Sequence, residues 1–254
     1  MKMCSNENYA AHAAIWDWGG YDRSAEFKKW RQIAERFGKQ VLIPFCAIGE
    51  CGAYLAEHGL EVTAFDITPQ MIAEGKKRFG NMSALKLYTA DITNFHFDGL
   101  QADFCFVSGD FGHIHTLGKV KQALSCIGRQ LRGGGGLVIE AGAQITESRC
   151  TPPKIFYPKT QVYPDKKVWK VGGGRADAEN NRFYISQTVC IENARGKIEQ
   201  FDHSFYMQHY TREEWKSALT ECGFDVTFIY DKDGSVIFEA AKKYTCPFSD
   251  NGVL

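Results

Sequence analysis

The chain has 254 residues, with 30 Lys and Arg against 30 Asp and Glu, 44% apolar and 13% aromatic residues. That composition excludes a disordered chain, and the zero net charge removes the bulk electrostatic reason to bind nucleic acid or an anionic membrane. The length fits one large domain or one domain with an insertion. No apolar run approaches the ~20 residues that span a bilayer, and the first eight residues lack the apolar core of a secretory signal. Nine cysteines lie scattered with no CxxC pair, which reads as buried free thiols in a reducing cytoplasm rather than a disulfide framework or a zinc site. No metal is expected.

Spacings of three and four among Phe27, Trp30, Ile33, Ala34 and Phe37 predict an amphipathic helix from Ser24, its N-cap, to Phe37, ended by Gly38. A short apolar strand, Val41–Cys46, runs into a loop with Gly49 and Gly52. A helix over Ala53–His58, a strand over Glu61–Asp66 and a helix over Pro69–Phe79 follow. Leu85–Tyr88 and Asp103–Val107 read as strands three and four, with a helix from about Lys119 to Leu131. The glycine run at 133–136 turns the chain into a fifth strand, Gly136–Ala141. Strands alternating with helices at this spacing predict right-handed βαβ units.

The pattern changes near residue 150. Lys167–Val171, Arg182–Glu192 and Lys197–Met207 are β-rich, the last two joined by a turn at 193–196. Thr211, with Glu214 three residues on, caps a helix to Cys222. Phe224–Tyr230 and Ser235–Ala241 then form a closing hairpin. The expected architecture is α/β: a Rossmann-like, doubly wound, mostly parallel seven-stranded sheet with an antiparallel β insertion after strand five. Residues 1–147 and 210–244 form the main domain, 148–209 the insertion, a lid or subunit contact, and 245–254 a tail.

Three features fall at carboxyl ends of parallel strands, where open α/β sheets bind ligands. They are the turn Phe45-Cys46-Ala47-Ile48-Gly49, Asp66 ending strand two, and Asp91-Ile92 after strand three. Asp66 can accept both hydroxyls of a ribose, while Asp91 can accept from an adenine amino group with Ile92 over the ring face. Each alone has a plainer reading, a simple turn or a capping aspartate; together on one edge they predict a nucleoside-containing cofactor. A dinucleotide would want GxGxxG, but here Glu50 sits at the helix start and repels pyrophosphate. S-adenosyl-L-methionine, which carries no phosphate, fits better. Ser108 and Asp110 form no nucleophile elbow, which disfavours hydrolase chemistry.

At these residues the chain resembles the class I S-adenosylmethionine-dependent methyltransferases. Val41-Leu42 with Cys46-Ala47-Ile48-Gly49 is similar to their first motif, Val62–Ile72 to the ribose-binding segment, Leu131–Glu140 to the turn into strand five, and Cys222-Gly223-Phe224 to a late motif. Within that group it is most similar to the glycine N-methyltransferases, through Tyr9, Trp16 and Arg23-Ser24-Ala25-Glu26-Phe27, through Phe111-Gly112-His113-Ile114, and through Cys150-Thr151-Pro152-Pro153. The resemblance implies cofactor contacts by Tyr9, Trp16, Arg23, Phe45, Cys46, Ala47, Gly49, Asp66, Ile67, Met71, Asp91, Ile92, Ser108 and His113, with Arg23 on the cofactor carboxylate. His113, Asp110 and Tyr21 are the implied catalytic residues, and Trp16, Trp18, Tyr21 and Tyr157 are expected to form an aromatic wall that closes the same cavity.

Three departures qualify the likeness. Ile43 stands where the family has an acidic residue, and Phe45 and Ala47 replace smaller ones. Gly142 stands where the family has an arginine for the substrate carboxylate, so glycine is not the expected acceptor. Asp110 points instead to an amine. The reading is N-methylation of a small-molecule amine in the cytoplasm, with S-adenosyl-L-homocysteine as product, no nucleic acid or membrane partner, and a homo-oligomer left open. The alternatives are a degenerate methyltransferase-like module that binds a nucleoside or a protein, and a nucleotide-dependent oxidoreductase, which the missing GxGxxG disfavours.

Overall fold

The structure is a computed structural model that describes residues 13, 23–108, 110–146, 154–156, 160–232 and 234–244. The first half alternates as expected: α1 (Ser24–Ala34), β1 (Gln40–Pro44), α2 (Glu50–Glu57), β2 (Glu61–Asp66), α3 (Pro69–Phe79) and β3 (Leu85–Thr89). β4 (Ala102–Ser108) leads through a 3-10 turn, Asp110–His113, to α4 (Leu117–Gln130) and β5 (Leu131–Gly142). After the insertion come α5 (Arg212–Glu221), β11 (Phe224–Lys232) and β12 (Ser235–Lys242).

These strands make a seven-stranded sheet in the order β11-β12-β5-β4-β1-β2-β3. β1 through β5 pair in parallel, and β12 and β11 add to β5 as an antiparallel hairpin. The apolar faces of the helices bury the sheet on both sides. Val120, Leu124, Trp215 and Leu219 from α4 and α5 cover one face. Trp30, Ala34, Leu55 and Ile72 from α1, α2 and α3 cover the other. Strands buried on both faces explain the continuous apolar runs at Val41–Ile43 and Phe104–Val107. Strand order reverses between β1 and β4, so a crevice opens at their carboxyl ends.

Several local expectations shift. Ser24 is the first helical residue, with Arg23 at the N-cap making no side-chain cap bond. Arg23 instead folds onto Glu26, so the expected hydroxyl cap is not used. α1 also stops at Ala34, three residues short of Phe37, whose ring leaves the helix to stack on Phe104 at 5.2 Å. α2 begins three residues before Ala53, because Gly49, at φ +86°, turns the chain and its carbonyl accepts the Ala53 N–H at 2.8 Å. The glycine run lies inside β5 rather than before it: the strand starts at Leu131 and passes an irregularity in its pairing with β4. Thr211 does cap α5, accepting the Glu214 N–H at 3.1 Å while Glu214 accepts the Thr211 N–H at 2.7 Å.

The insertion is a separate antiparallel sheet of β6 (Lys154–Phe156), β7 (Gln161–Val162), β8 (Lys166–Asp177), β9 (Arg182–Asn193) and β10 (Ile198–Gln208), in the order β10-β9-β8-β6 with β7 beside β8. The hairpin between β8 and β9 is fastened to the main sheet. Asn181 accepts the Ile145 N–H at 2.7 Å and donates to the His209 carbonyl at 3.0 Å. β10 rests on the 3-10 turn, where the rings of Phe205 and His113 lie 5.3 Å apart. The insertion therefore closes over the carboxyl ends of β1 and β4. Among the described residues no helix is long and apolar enough to cross a membrane.

Candidate active site

A cavity of about 810 Å³ occupies this crevice. Its floor is the loop after β1. Phe45 and Ala47 adopt positive φ of 52° and 51°, a left-handed conformation rarely taken by residues with a Cβ. Hydrogen bonds from Cys46 N–H to the Phe65 carbonyl (3.0 Å) and from Gly49 N–H to the Cys46 carbonyl (2.8 Å) hold it. Ala47 N–H donates to Asp66 Oδ2 at 3.0 Å, and Thr68 N–H donates to Asp66 Oδ1 at 2.9 Å. The carboxylate that ends β2 thus braces the loop while lining the cavity. Burial pushes its pKa up, opposed by these N–H donors.

Ile67 and Met71 flank Asp66 on the wall, Ile67 exposed and Met71 buried. Asp91 and Ile92 follow β3. Asp91 Oδ1 accepts both the backbone N–H and the hydroxyl of Thr93 at 2.8 Å, so part of its acceptor capacity closes a local turn. Ile43, the residue in place of an acid, is buried at the end of β1 and also reaches the cavity. Cys46 lines it with a thiol pushed well up by burial, then by the negative charge of Asp66.

Ser108 at the end of β4 and Asp110 and His113 in the 3-10 turn after it complete the wall. Burial, then the neighbouring Asp66 carboxylate, pushes the Asp110 carboxyl up to about 7, with Arg23 pulling the other way and Glu26 adding to the rise. Burial, then His115, pushes His113 down to about 4, so its ring is neutral at pH 7. Arg23 overhangs the cavity mouth, its Nε and Nη2 bonded to the Glu26 carboxylate at 3.0 and 2.9 Å. Here its guanidinium fork is occupied by an internal partner.

The structure therefore gathers Arg23, Phe45, Cys46, Ala47, Asp66, Ile67, Met71, Asp91, Ile92, Ser108, Asp110 and His113 around one cavity, with Gly49 just behind as the N-cap of α2. Tyr9, Trp16, Trp18, Tyr21 and Tyr157, and the Cys150–Pro153 segment, lie outside the described residues. At Gly142 an added Cβ would fall 2.4 Å from His209 Cε1. The His209 ring fills the place of a side chain there, held by Ala143 O at 2.7 Å. Sequence reasoning missed Thr68, Arg182, Phe205 and Tyr206 on the wall. Alternation along 197–207 predicts the strand, but nothing in it says which face meets the cavity. Among the described residues no cluster of three His, Cys, Asp or Glu could hold a metal ion.

Comparison with known proteins places this geometry. A methyltransferase-domain family model matches residues 41–135, the span from β1 into β5. YqeM of Bacillus subtilis (strain 168), a methyltransferase by name, is 20% identical over 203 residues, 79% of each chain. CalS10, an amino pentose methyltransferase of Micromonospora echinaspora solved with S-adenosylmethionine bound, superposes with a TM-score of 0.72 at 18% identity, covering 92% of this chain and 97% of its own. The sugar N-methyltransferase KedS8 of Streptoalloteichus sp ATCC 53650 gives 0.77 at 17% identity, covering 91% and 92%. Residues 41–135 thus carry the sequence pattern of a methyltransferase domain, set in a fold that CalS10 and KedS8 share along nearly their whole length.

Proposed function

We propose that this chain is an S-adenosylmethionine-dependent methyltransferase that methylates the nitrogen of a small amine other than glycine. The observation that carries the reading is the placing of a ribose-type carboxylate, Asp66, and an acid–base pair, Asp110 and His113, on one cavity. The cavity suits the cofactor: a carboxylate at the end of β2, apolar Ile67, Ile92 and Met71 for an adenine, and Glu50 at the start of α2, which repels a pyrophosphate. Structural relatives described as sugar N- and amino pentose methyltransferases support an amine on a compact, sugar-sized acceptor.

When bound, S-adenosylmethionine supplies an electrophilic methyl on a positive sulfur, and the products are S-adenosyl-L-homocysteine and the N-methyl amine. The chain's own part is positioning. In a water-poor cavity, alignment of two reactants is worth ~7–11 kcal/mol. Asp110, as carboxylate, draws a protonated amine toward itself and takes one of its protons, which frees the nitrogen lone pair for attack. Neutral His113 orients the nitrogen by a hydrogen bond without repelling a cation. Arg23, released from Glu26, pairs with the cofactor carboxylate through its planar fork. The resemblance adds Tyr9 and Trp16 as cofactor contacts and Tyr21 as a catalytic residue. Residues 1–147 and 210–244 act as the catalytic body and 148–209 as a lid or subunit contact, in the cytoplasm and without nucleic acid or membrane partners.

The test is turnover of methyl-labelled cofactor against primary amines and amino sugars, with glycine as the negative control. Label in an amine supports the reading; cofactor binding with no transfer to any amine removes it. One observation favours a rival, a binding module without catalysis: Arg23 is held by Glu26. Calorimetry with S-adenosylmethionine separates them, since a folded protein that gives no heat is no methyltransferase.

A further inference from the structure

An amino acid carries one positive and one negative group on a single carbon, and the cavity mouth holds a pair of charges of the same kind. Arg23 Nε and Nη2 donate to the two oxygens of Glu26 at 3.0 and 2.9 Å, and both residues line the cavity. Their side chains are 43% and 37% exposed, so the pair adds little to stability and changes partners at little cost. Glu26 lies one helical turn before Trp30 on α1 and shares its face. Trp30 is buried and stacks on Phe106 of β4 at 4.3 Å, which sets Glu26 over the carboxyl end of that strand, where Glu26, Trp30 and Ser108 border one recess. The charges of Arg23 and Glu26 both act on Asp110, so the pair faces the reacting end of the cavity. Ile43, near the end of β1, meets the same cavity with no acceptor atom on its side chain. The other carboxylates there have work elsewhere. Asp66 accepts the Ala47 and Thr68 N–H groups, Asp91 accepts from Thr93, and Asp110 stands in the 3-10 turn beside the acceptor. Glu50, which begins α2, acts on Arg23 more weakly than Glu26 does.

We infer that Glu26 accepts the α-ammonium of S-adenosylmethionine, a carboxylate supplied from α1 because the side chain of Ile43 offers none at the end of β1. The inference rests on the methyltransferase reading. The ammonium and carboxylate of the cofactor share one carbon, so their partners have to stand close together with opposite sign, and a bonded Arg–Glu pair meets that condition in advance. On binding, the guanidinium passes from Glu26 to the cofactor carboxylate while the Glu26 carboxylate passes to the ammonium. All four charges stay paired, and none is left alone in a sheltered place. The bond between Arg23 and Glu26 is then a site held ready for a zwitterion, and it does not block Arg23.

The test is calorimetric titration with three ligands: S-adenosylhomocysteine, its desamino analogue, which keeps the carboxylate, and methylthioadenosine, which lacks the whole amino-acid end. The wild-type chain should prefer S-adenosylhomocysteine over the desamino analogue by about tenfold or more, the effect of one charge-assisted hydrogen bond. Glu26→Gln should erase most of that preference while binding the desamino analogue as tightly as before or more tightly, and methylthioadenosine within about twofold of wild type. A thermal melt checks that the variant is folded. If Glu26 only holds Arg23 back, Glu26→Gln binds S-adenosylhomocysteine more tightly, and that result overturns the proposal. So does a preference that survives in Glu26→Gln, a preference lost in Glu50→Gln instead, or an equal loss of affinity for methylthioadenosine. Wild-type protein that binds S-adenosylhomocysteine and the desamino analogue equally well refutes this proposal alone. Wild-type protein that binds none of the three refutes the methyltransferase reading and the proposal with it.

Discussion

Replacing Asp66 tests the centre of the site most directly, because the structure gives its carboxylate two tasks. Asp66→Ala leaves the N–H groups of Ala47 and Thr68 without their acceptors at 3.0 and 2.9 Å. Hydrogen bonds to a charged acceptor contribute ~1.5–3 kcal/mol each, but burial already penalises this carboxylate, so the stability loss should be about 2–4 kcal/mol in total rather than the full sum. If the same carboxylate holds the ribose, cofactor affinity falls by a further ~1–3 kcal/mol, about 5- to 150-fold in Kd. Asp66→Asn separates the tasks: its carbonyl oxygen can still accept one N–H, while its amide nitrogen faces the other donor, so about half of the stability returns. Urea unfolding measures the first quantity and calorimetry with S-adenosylhomocysteine the second. An Ala variant that is destabilised yet binds with wild-type affinity would reduce Asp66 to a loop brace. An Ala variant of unchanged stability would refute the hydrogen-bond accounting.

Four further outcomes follow from the same geometry. Asp110 gains its proton acceptor role only when ionised, so wild-type kcat/KM should rise as pH climbs through about 7, and Asp110→Asn should be slow and flat there. Because that pKa is raised from 3.8, the stability it contributes is full below the ordinary carboxylate value and lost as pH rises through about 7; urea midpoints between pH 4 and 8 should show the decline, and the Asn variant should lack it. Ala47→Gly relieves a residue held at φ +51° and should stabilise the chain by up to ~1 kcal/mol, whereas a lower melting temperature would show the loop to be unstrained. Gly142→Arg places a Cβ 2.4 Å from His209 Cε1 and should cost ~1–3 kcal/mol without conferring glycine methylation, checked by melting and turnover; an unperturbed, glycine-methylating variant would overturn that account.

The main sheet was readable because its signals are local: continuous apolar runs for strands buried on both faces, a capping box at Thr211 and Glu214, and glycines closing helices. Strand two and the helix after it fall at Glu61–Asp66 and Pro69–Phe79 as their patterns predict. What the patterns do not carry is tertiary. The Ser24 cap yields to an Arg23–Glu26 pair, and the glycine run joins β5 because pairing with β4 begins at Leu131. The acceptor wall was illegible for the same reason: Phe205, Tyr206 and Arg182 reach the cavity only because Asn181 and His209 fasten a distant hairpin beside β5.

The altered first motif carries a final argument. Read as letters, Phe45 and Ala47 weaken the likeness to a glycine-rich cofactor turn. Read as backbone, they keep it, since both take the left-handed conformation that glycine adopts freely, at ~1–2 kcal/mol each. Such strain persists only where surrounding contacts impose it. Here the Asp66 carboxylate holds the Ala47 N–H, the Phe65 carbonyl holds the Cys46 N–H, and Ala47 is buried with Ile48 and Met71. A loop without constraint would be free to relax at these two positions, whereas this one retains a costly shape braced by the Asp66 carboxylate. The departure in sequence thus leaves the shape of the turn after β1 in place, which argues against a chain whose nucleoside-binding edge has been lost and leaves catalysis to the turnover assay.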